Sequence, residues 1–478
     1  MKIKLGVKNA TVEYLCSMCR GQLVGNASGV VEYVCTDSRE VDEKTLFVVS
    51  VGERVDGHNY MLSAAKNGCK FFLCQRIPEE LECSGYEYSA IVTSDTLNSL
   101  AWIAMNYTSS LDMRSVAVTG SVGKTTTKEF IYAVLCQAYK THKTKANHNS
   151  IIGMPMSMLE ADQSFEAAVI EMGMSGFGEI ERMSNVAKPH IACITNIGTS
   201  HLEMLGNREN ICRAKLEIIS GMKDGGLLIV NGDEPLLARA DVGSIKRLMV
   251  GVSNPKCYIR AEHLRYCDEG SVFDIIVGDE VYPNIEINVI GKQFVYASLF
   301  AFAVGLELGI DAEKIIVGLK NFENADMRQN IYEVGGITII EDCYNASPES
   351  MRAAVDVLKT ISKSKKGSRM TALLGDMREL GENAKEYHKG VGEYFARSGG
   401  KLLMTMGELG RSIAEGALEG GVSEKNVYVA LDYNNYELIG STLKDILNEG
   451  DVLLVKASRA IGAERVVAYL KEKLTKGD

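Results

Sequence analysis

The nine residues from Thr119 to Thr127, TGSVGKTTT, restrict the folds open to this chain more than any other stretch. An apolar run, RSVAV, precedes them and a helix-like run, KEFIYAVLCQAY, follows, so the order is strand, glycine turn, lysine and threonine, helix. That order aims backbone N–H groups and a helix N-terminus at phosphate oxygens. Gly120, Ser121, Val122 and Gly123 would form the turn. Lys124 would reach the β- and γ-phosphates, and Thr125, followed by Thr126, would put its hydroxyl on Mg²⁺. Val118 stands where the full motif has its first glycine, and the plainer reading is an incidental turn. The strand context and the three threonines favour the phosphate.

A chain of 478 residues exceeds one ordinary hydrophobic core, so several domains are expected. Short apolar runs (LFVVSV, KFFLC, SAIV) and the helix-like YMLSAAKNG give a small α/β domain over 1–111. From RSVAVTG through AAVIEMG, IACITNIG and GGLLIVNGD, strands alternate with helices. This predicts a mostly parallel sheet covered on both faces, in a central domain over 112–323 that ends in the helical FVYASLFAFAVGLELG and AEKIIVGLKNF. A third alternating unit, 324–478, runs through ITIIEDCYN, MTALLGDM, KLLMTMG, NVYVAL and DVLLVKAS. The fold class is α/β, three domains in series.

A formal net charge of -10, with no basic run longer than the SKSKKGSR loop near Lys363, disfavours a nucleic-acid partner. The opening MKIKLGVKNATVEYL lacks the apolar segment of a signal peptide. No later stretch approaches the roughly 20 apolar residues that cross a bilayer, so a cytoplasmic protein with no membrane partner is expected. Twelve unpaired-looking cysteines, none in the last 135 residues, do not form a secreted disulfide framework. Cys16 and Cys19 make one CxxC, but a zinc site needs a second ligand pair that Cys35 alone does not supply.

Glu171, His201 and Lys215 follow the strand-like runs downstream of the glycine turn. Hard ligands at the carboxyl edge of a parallel sheet are where metal and phosphate sites form. Each also has a plainer account: Glu171 as a helix-capping carboxylate, His201 as a satisfied loop histidine, Lys215 as a solvent-facing lysine.

These stretches, taken in order, resemble the Mur ligases over essentially the whole chain. The resemblance rests on TDSR (Thr36, Asp37, Ser38, Arg39) and LFV…GERVDGH (Asp56, Gly57, His58); on TGSVGKTTTKE; and on Asn147 in NHNSIIGMP. It continues through EMGMSGFGEI, NIGTSHLEMLG…RAKLEI, DCYNASPESM, LGDMRELGE…YH and VKASR. The DCYN and LGDMREL stretches point to the branch whose second substrate is D-alanyl-D-alanine.

The resemblance implies an N-terminal domain for a UDP-sugar, a central P-loop ATPase and a Rossmann-like C-terminal domain that closes over ATP. It implies that a UDP-muramoyl-tripeptide carboxylate attacks the γ-phosphate and that D-alanyl-D-alanine displaces phosphate from the acyl phosphate. Lys124, Lys215 and His201 would be catalytic. Thr125 and Glu171 would serve one Mg²⁺, and His201 and Lys215 a second, with Lys215 carbamoylated so that it becomes an anionic ligand. Gly120 through Thr126, Asn147, Arg328, Asp342 and Asn345 would hold the nucleotide, although Arg328 also reads as a linker charge. Thr36 to Arg39, Asp56 to His58, Lys456, Ser458 and Arg459 would hold substrate. A monomer acting on these small molecules is the expectation.

One element departs from the family. Its Gly-x-His-Asn-x-x-Asn stretch near the adenine reads Gly291, Lys292, Gln293, Phe294, Val295, Tyr296, Ala297 here. Gln293 could replace one of the lost amides, and three readings compete: an active ligase that holds adenine by backbone and stacking contacts, a paralogue with another nucleotide or acceptor, and a protein that binds the UDP-sugar without turnover. The complete set of Lys124, Glu171, His201 and Lys215 favours the active ligase. Ser150 replaces a usual Asn, and Ala457 a usual Gly.

Overall fold

Strands buried along their whole length dictate the centre of the molecule. Ile191–Ile194, Leu227–Asn231 and Ala167–Glu171 bury every residue, as strands covered on both faces must. The computed structural model describes all residues except 53, 54, 146, 268, 269, 325 and 476–478, so part of the GERVDGH stretch (Glu53 and Arg54) lies outside the described residues.

Among the described residues there are three sheets, with strands drawn from 2–92, 114–287 and 330–456. In the central sheet Arg114–Thr119 lies between Ile191–Ile194 and Ala167–Glu171, all parallel. The parallel run extends through Leu227–Asn231 and Lys246–Gly251. Ile259–Cys267 continues the run in parallel, and Gly270–Val277 and Glu280–Ile287 then widen the sheet as antiparallel neighbours. Sequence patterning passes over this extension because its outer strand exposes most of its residues and carries little apolar signal.

In the third sheet the last strand, Val452–Lys456, inserts between Ile337–Glu341 and Met370–Gly375, parallel to both. Chain ends far apart in sequence, Asp342 and Lys456, therefore emerge side by side at one carboxyl edge. Sites on open α/β sheets form at such edges.

The helix Lys124–Leu135 begins with three β-branched threonines, a poor start by propensity alone. Packing compensates. Phe130, Ile131 and Val134 are fully buried, and Phe130 stacks on Phe322 with ring centroids 3.7 Å apart. Phe130→Ala would cost about 3–5 kcal/mol. A second core runs from the N-terminal sheet through the helix Thr96–Ser109 to Met154, Met156 and Ile180 of the central unit. The Tyr107 hydroxyl donates to the Ala161 carbonyl across that seam at 2.7 Å.

No helix among the described residues is long and apolar enough to cross a membrane. All twelve cysteines are free thiols. The Cys16 and Cys19 thiols donate to the carbonyls of Gly21 and Cys16, which makes the CxxC a locally bonded turn.

Candidate active site

The glycine turn is shaped by the two residues that follow the neighbouring strand Ile191–Ile194. Gly120 has φ +152°, and a Cβ there would sit 1.9 Å from the Thr195 hydroxyl, so only glycine fits. Asn196 fixes the loop from below, its side-chain oxygen accepting from the N–H groups of Ser121 (3.1 Å) and Val122 (2.9 Å). Thr195 donates to the Val122 carbonyl. Gly123, at φ +81°, hands the chain to the helix, and no side chain caps that helix. The uncapped N–H groups of its first turn therefore remain for an anion. Lys124 folds back, donating to the Gly120 carbonyl at 2.9 Å, and burial pushes its pKa down.

Glu171 ends its strand beside Val118 and is 2% exposed. Its Oε1 accepts from the Asn149 amide at 2.8 Å, while its Oε2 is buried with no hydrogen-bond partner. The Lys128 ammonium lies 3.7 Å from that oxygen and donates to the Thr144 carbonyl. The Ser121 hydroxyl is orphaned in the same way. A buried carboxylate oxygen without a hydrogen-bond donor, in a cavity that Ser121 also lines, suits a hard cation. Among the described residues no three His, Cys, Asp or Glu side chains gather into a cage. A Mg²⁺ here would therefore fill its shell with phosphate oxygens and water, as that ion ordinarily does.

His201 sits at φ +64° and starts the short helix Leu202–Leu205. Its Nδ1 lies 2.6 Å from the carboxylate of Glu379, which arrives from the third unit and is itself at φ +65°. With Nδ1 committed, Nε2 is the ring nitrogen left for a ligand. Lys215 is not solvent-facing: it is 1% exposed on the helix Arg208–Leu216, four residues after buried Ile211. No hydrogen bond reaches its amine among the described residues. Burial and the nearby Lys124 push its pKa well below the ordinary lysine value.

The third unit roofs this floor. Arg328 donates to the Thr125 hydroxyl at 3.0 Å and lies 4.3 Å over the Tyr344 ring, so it is no free linker charge. Lys456, 2% exposed, holds the Asp342 carboxylate at 2.7 Å and the Asn345 carbonyl at 2.8 Å. One cavity of about 400 Å³ is lined by residues from both sides, including Lys124, Thr125, Glu171, His201, Asp342 and Lys456. Ser121, Val122, Gly123, Thr126, Asn147, Arg328 and Asn345 line it as well, whereas Gly120 and Lys215 do not.

The remaining sequence-predicted residues lie elsewhere. Asp37 accepts from the Arg39 guanidinium, which holds its carboxyl well below the usual range. Thr36 and Ser38 make backbone contacts with Met1 and Asn67. His58 is buried, with Nδ1 2.6 Å from Asp56 and Nε2 accepting from the Gln75 N–H at 3.1 Å. Gly57 approaches the Ser50 carbonyl too closely for a Cβ, at 2.6 Å. The Ser458 hydroxyl accepts from the Arg378 N–H, and Arg459 reaches Met327 and Glu464. None of these lines the cavity. Asn149, Asn196, Lys128 and Glu379 were missed as site residues, although all four lie within or beside the quoted motifs.

A phosphate loop at the carboxyl edge of one parallel sheet, roofed by strand ends of a second α/β unit, defines a P-loop enzyme whose closing domain completes its site. Known proteins narrow the class. Family models described as "Mur ligase family, catalytic domain", "Mur ligase middle domain" and "Mur ligase, glutamate ligase domain" match residues 30–107, 118–305 and 327–459. The UDP-N-acetylmuramoyl-tripeptide--D-alanyl-D-alanine ligase of Bacillus subtilis is 37% identical, over 97% of this chain and 98% of its own. Its Escherichia coli namesake is 29% identical, over 98% and 99%. A crystal structure of MurF from Acinetobacter baumannii superposes with TM-score 0.86 at 27% identity, covering 98% of this chain and 100% of its own. MurF ligase from Thermotoga maritima in complex with ADP gives 0.82 at 27% identity, over 93% and 98%. The chain belongs to the Mur ligase family.

Proposed function

We propose that this chain is an ATP-dependent ligase that joins D-alanyl-D-alanine to a UDP-N-acetylmuramoyl-tripeptide in peptidoglycan precursor synthesis. The observation that carries this reading is the single cavity in which Lys124, Glu171 and His201 face Arg328, Asp342 and Lys456. Full-length similarity to ligases named for that reaction supports the choice of substrates.

The tripeptide carboxylate attacks the γ-phosphorus of ATP, the bond to ADP breaks, and an acyl phosphate forms. The dipeptide amine, its proton lost to solvent, then attacks the acyl carbon, and inorganic phosphate leaves from the tetrahedral intermediate. Two anions must meet in the first step, so the protein's contribution is position and positive charge. Lys124 supplies charge at the γ-phosphate, and Arg328 supplies it from the closing domain. Asp342, oriented by Lys456, receives the ribose hydroxyls, with Asn147 and Asn345 beside the nucleotide.

Mg²⁺, when bound, neutralises phosphate charge; Thr125 and Glu171 would hold one ion, His201 and Lys215 a second. A neutral amine is the form that reacts with CO₂, and burial lowers the Lys215 pKa toward that form, so Lys215 suits carbamoylation. Thr36 to Arg39 and Asp56 to His58 would meet the UDP-sugar, and Ser458 and Arg459 the substrate end. Phosphate release that requires both the UDP-muramoyl-tripeptide and D-alanyl-D-alanine is the expected result. Release without the dipeptide, or tight UDP-sugar binding with no turnover, sinks the proposal. Bicarbonate stimulation of the wild type, absent from Lys215→Ala, tests the carbamate.

A further inference from the structure

Where the family usually carries His-Asn-x-x-Asn, this chain has a different set of polar atoms, tied to the linker before the third unit. Gln329 is in that linker, at φ +50° and 7% exposed. A non-glycine residue is held left-handed only when its surroundings fix it. Its Nε2 donates to the Ile290 carbonyl at 2.6 Å, and its Oε1 accepts from Gln293 Nε2 at 2.8 Å. Gln293 and Gln329 both line the cavity, with Phe294 and Tyr344. Gly291, at φ +137°, makes room for the Gln293 amide, since a Cβ there would come within 2.6 Å of it.

The relay has one possible direction. A backbone carbonyl can only accept, so Gln329 must turn its NH₂ toward Ile290 and its oxygen toward Gln293. Gln293 must then give an N–H to Gln329. Its carbonyl oxygen has no hydrogen-bond partner among the described residues, and one N–H remains beside it. The amide thus presents an acceptor next to a donor, with no freedom to flip.

Resting on the reading of this cavity as the ATP site, we infer that Gln293, locked by Gln329, reads the nucleobase and selects 6-amino over 6-oxo purines. Adenine shows a 6-amino donor beside the N7 acceptor, which complements the pair. A 6-oxo purine sets an oxygen against the Gln293 oxygen. Flipping the amide to relieve that contact breaks the bond to Gln329, so the relay itself carries the discrimination. The two lost asparagines are replaced by a glutamine pair that also ties base recognition to the linker carrying Arg328.

Equilibrium binding of ADP and inosine diphosphate to the full chain tests this, because the two ligands differ at the 6-position. The wild type is expected to favour ADP by about 10- to 100-fold. Gln293→Leu should collapse that ratio by weakening ADP while leaving inosine diphosphate nearly unchanged. Gln329→Met, which frees Gln293 to flip, should lower the ratio while sparing more of the ADP affinity. Thermal unfolding of both variants checks that they fold. A Gln293→Leu variant that keeps the ratio, or a wild type that binds both diphosphates alike, overturns the inference and leaves the ligase reading standing. A wild type that binds neither overturns both.

Discussion

The cavity and the N-terminal loops are both rich in charged residues, but they treat those residues in opposite ways. Around the cavity, Glu171 Oε2 and the Ser121 hydroxyl are buried without a hydrogen-bond partner, only the Lys128 ammonium standing 3.7 Å from the former, and no hydrogen bond reaches the buried Lys215 amine among the described residues. In the N-terminal unit Asp37 pairs with Arg39, and Asp56 pairs with both His58 and Arg76. A buried polar group without a partner costs free energy, so a fold keeps it only where something else benefits. The comparison separates groups held ready for a ligand from groups that already complete one another. Recognition at the N-terminal loops must therefore trade existing bonds for new ones.

The largest effect expected from breaking this contrast is at Lys124. Lys124→Met removes the one ammonium set at the phosphate turn, and kcat should fall by about 10²- to 10³-fold. Binding of the UDP-muramoyl substrate should change little, which a direct binding measurement checks. An equal loss in binding would mean that the turn shapes the substrate site as well.

Lys215→Met should slow turnover, by less than the Lys124 change does, and yet stabilise the ligand-free protein, because it removes a buried amine that no hydrogen bond reaches among the described residues. A rise in Tm of about 2–4 °C is expected. The pH dependence sharpens the point. The folded-state pKa of Lys215 is depressed, so between that value and the unfolded one, about 10.4, the unfolded chain binds more protons. Stability therefore rises with pH across that window and is lost as pH falls through it. Urea unfolding in CO₂-free buffer from pH 7 to 9 should show this slope, reduced in Lys215→Met. An unchanged slope would assign it to other groups.

The sequence carried the phosphate turn, the alternating strands and the positions of Glu171 and His201, because local pattern determines each of them. Lys215 was half legible. Its polarity suggested solvent, but its spacing of four from Ile211 put it on the buried face of RENICRAKL. Asn196 could not be assigned a role, since it grips the turn from just beyond another strand and its partners lie more than seventy residues away. Glu379 and Gln329 likewise have their roles only because the third unit folds down onto the second. The antiparallel strands of 259–287 were illegible for a different reason, namely that half-exposed strands mix polar and apolar residues too evenly.

On the self-satisfied side of the comparison, His58→Phe should destabilise the fold by about 1–2 kcal/mol, because it removes the ring's bonds to Asp56 and to the Gln75 N–H while the backbone bond to Asp56 stays. Asp56 responds to the same change: bonds from the His58 backbone and ring hold its pKa at about 2. A depressed carboxylate contributes stability above its unfolded pKa, about 3.9, and loses it as pH falls toward 2. His58→Phe, which keeps the backbone bond and Arg76 and loses only the ring's bond, should therefore flatten the acid limb of the unfolding curve in part. A variant with wild-type acid sensitivity would show that other carboxylates set that limb.

The smallest stability effect belongs to Arg39, whose side chain is 86% exposed. An ion pair in open solvent contributes little, so Arg39→Ala should leave Tm within about 1 °C of the wild type. Its effect should appear in recognition instead. If the Asp37–Arg39 pair opens so that the guanidinium meets a diphosphate, KM for the UDP-muramoyl substrate rises while kcat holds, since that contact is the same in ground and transition states. A fall in kcat with unchanged KM would place Arg39 in the closing of the domains. No change in either would leave the TDSR turn a local structural device, its charges satisfied by each other in the working enzyme as they are in the ligand-free fold.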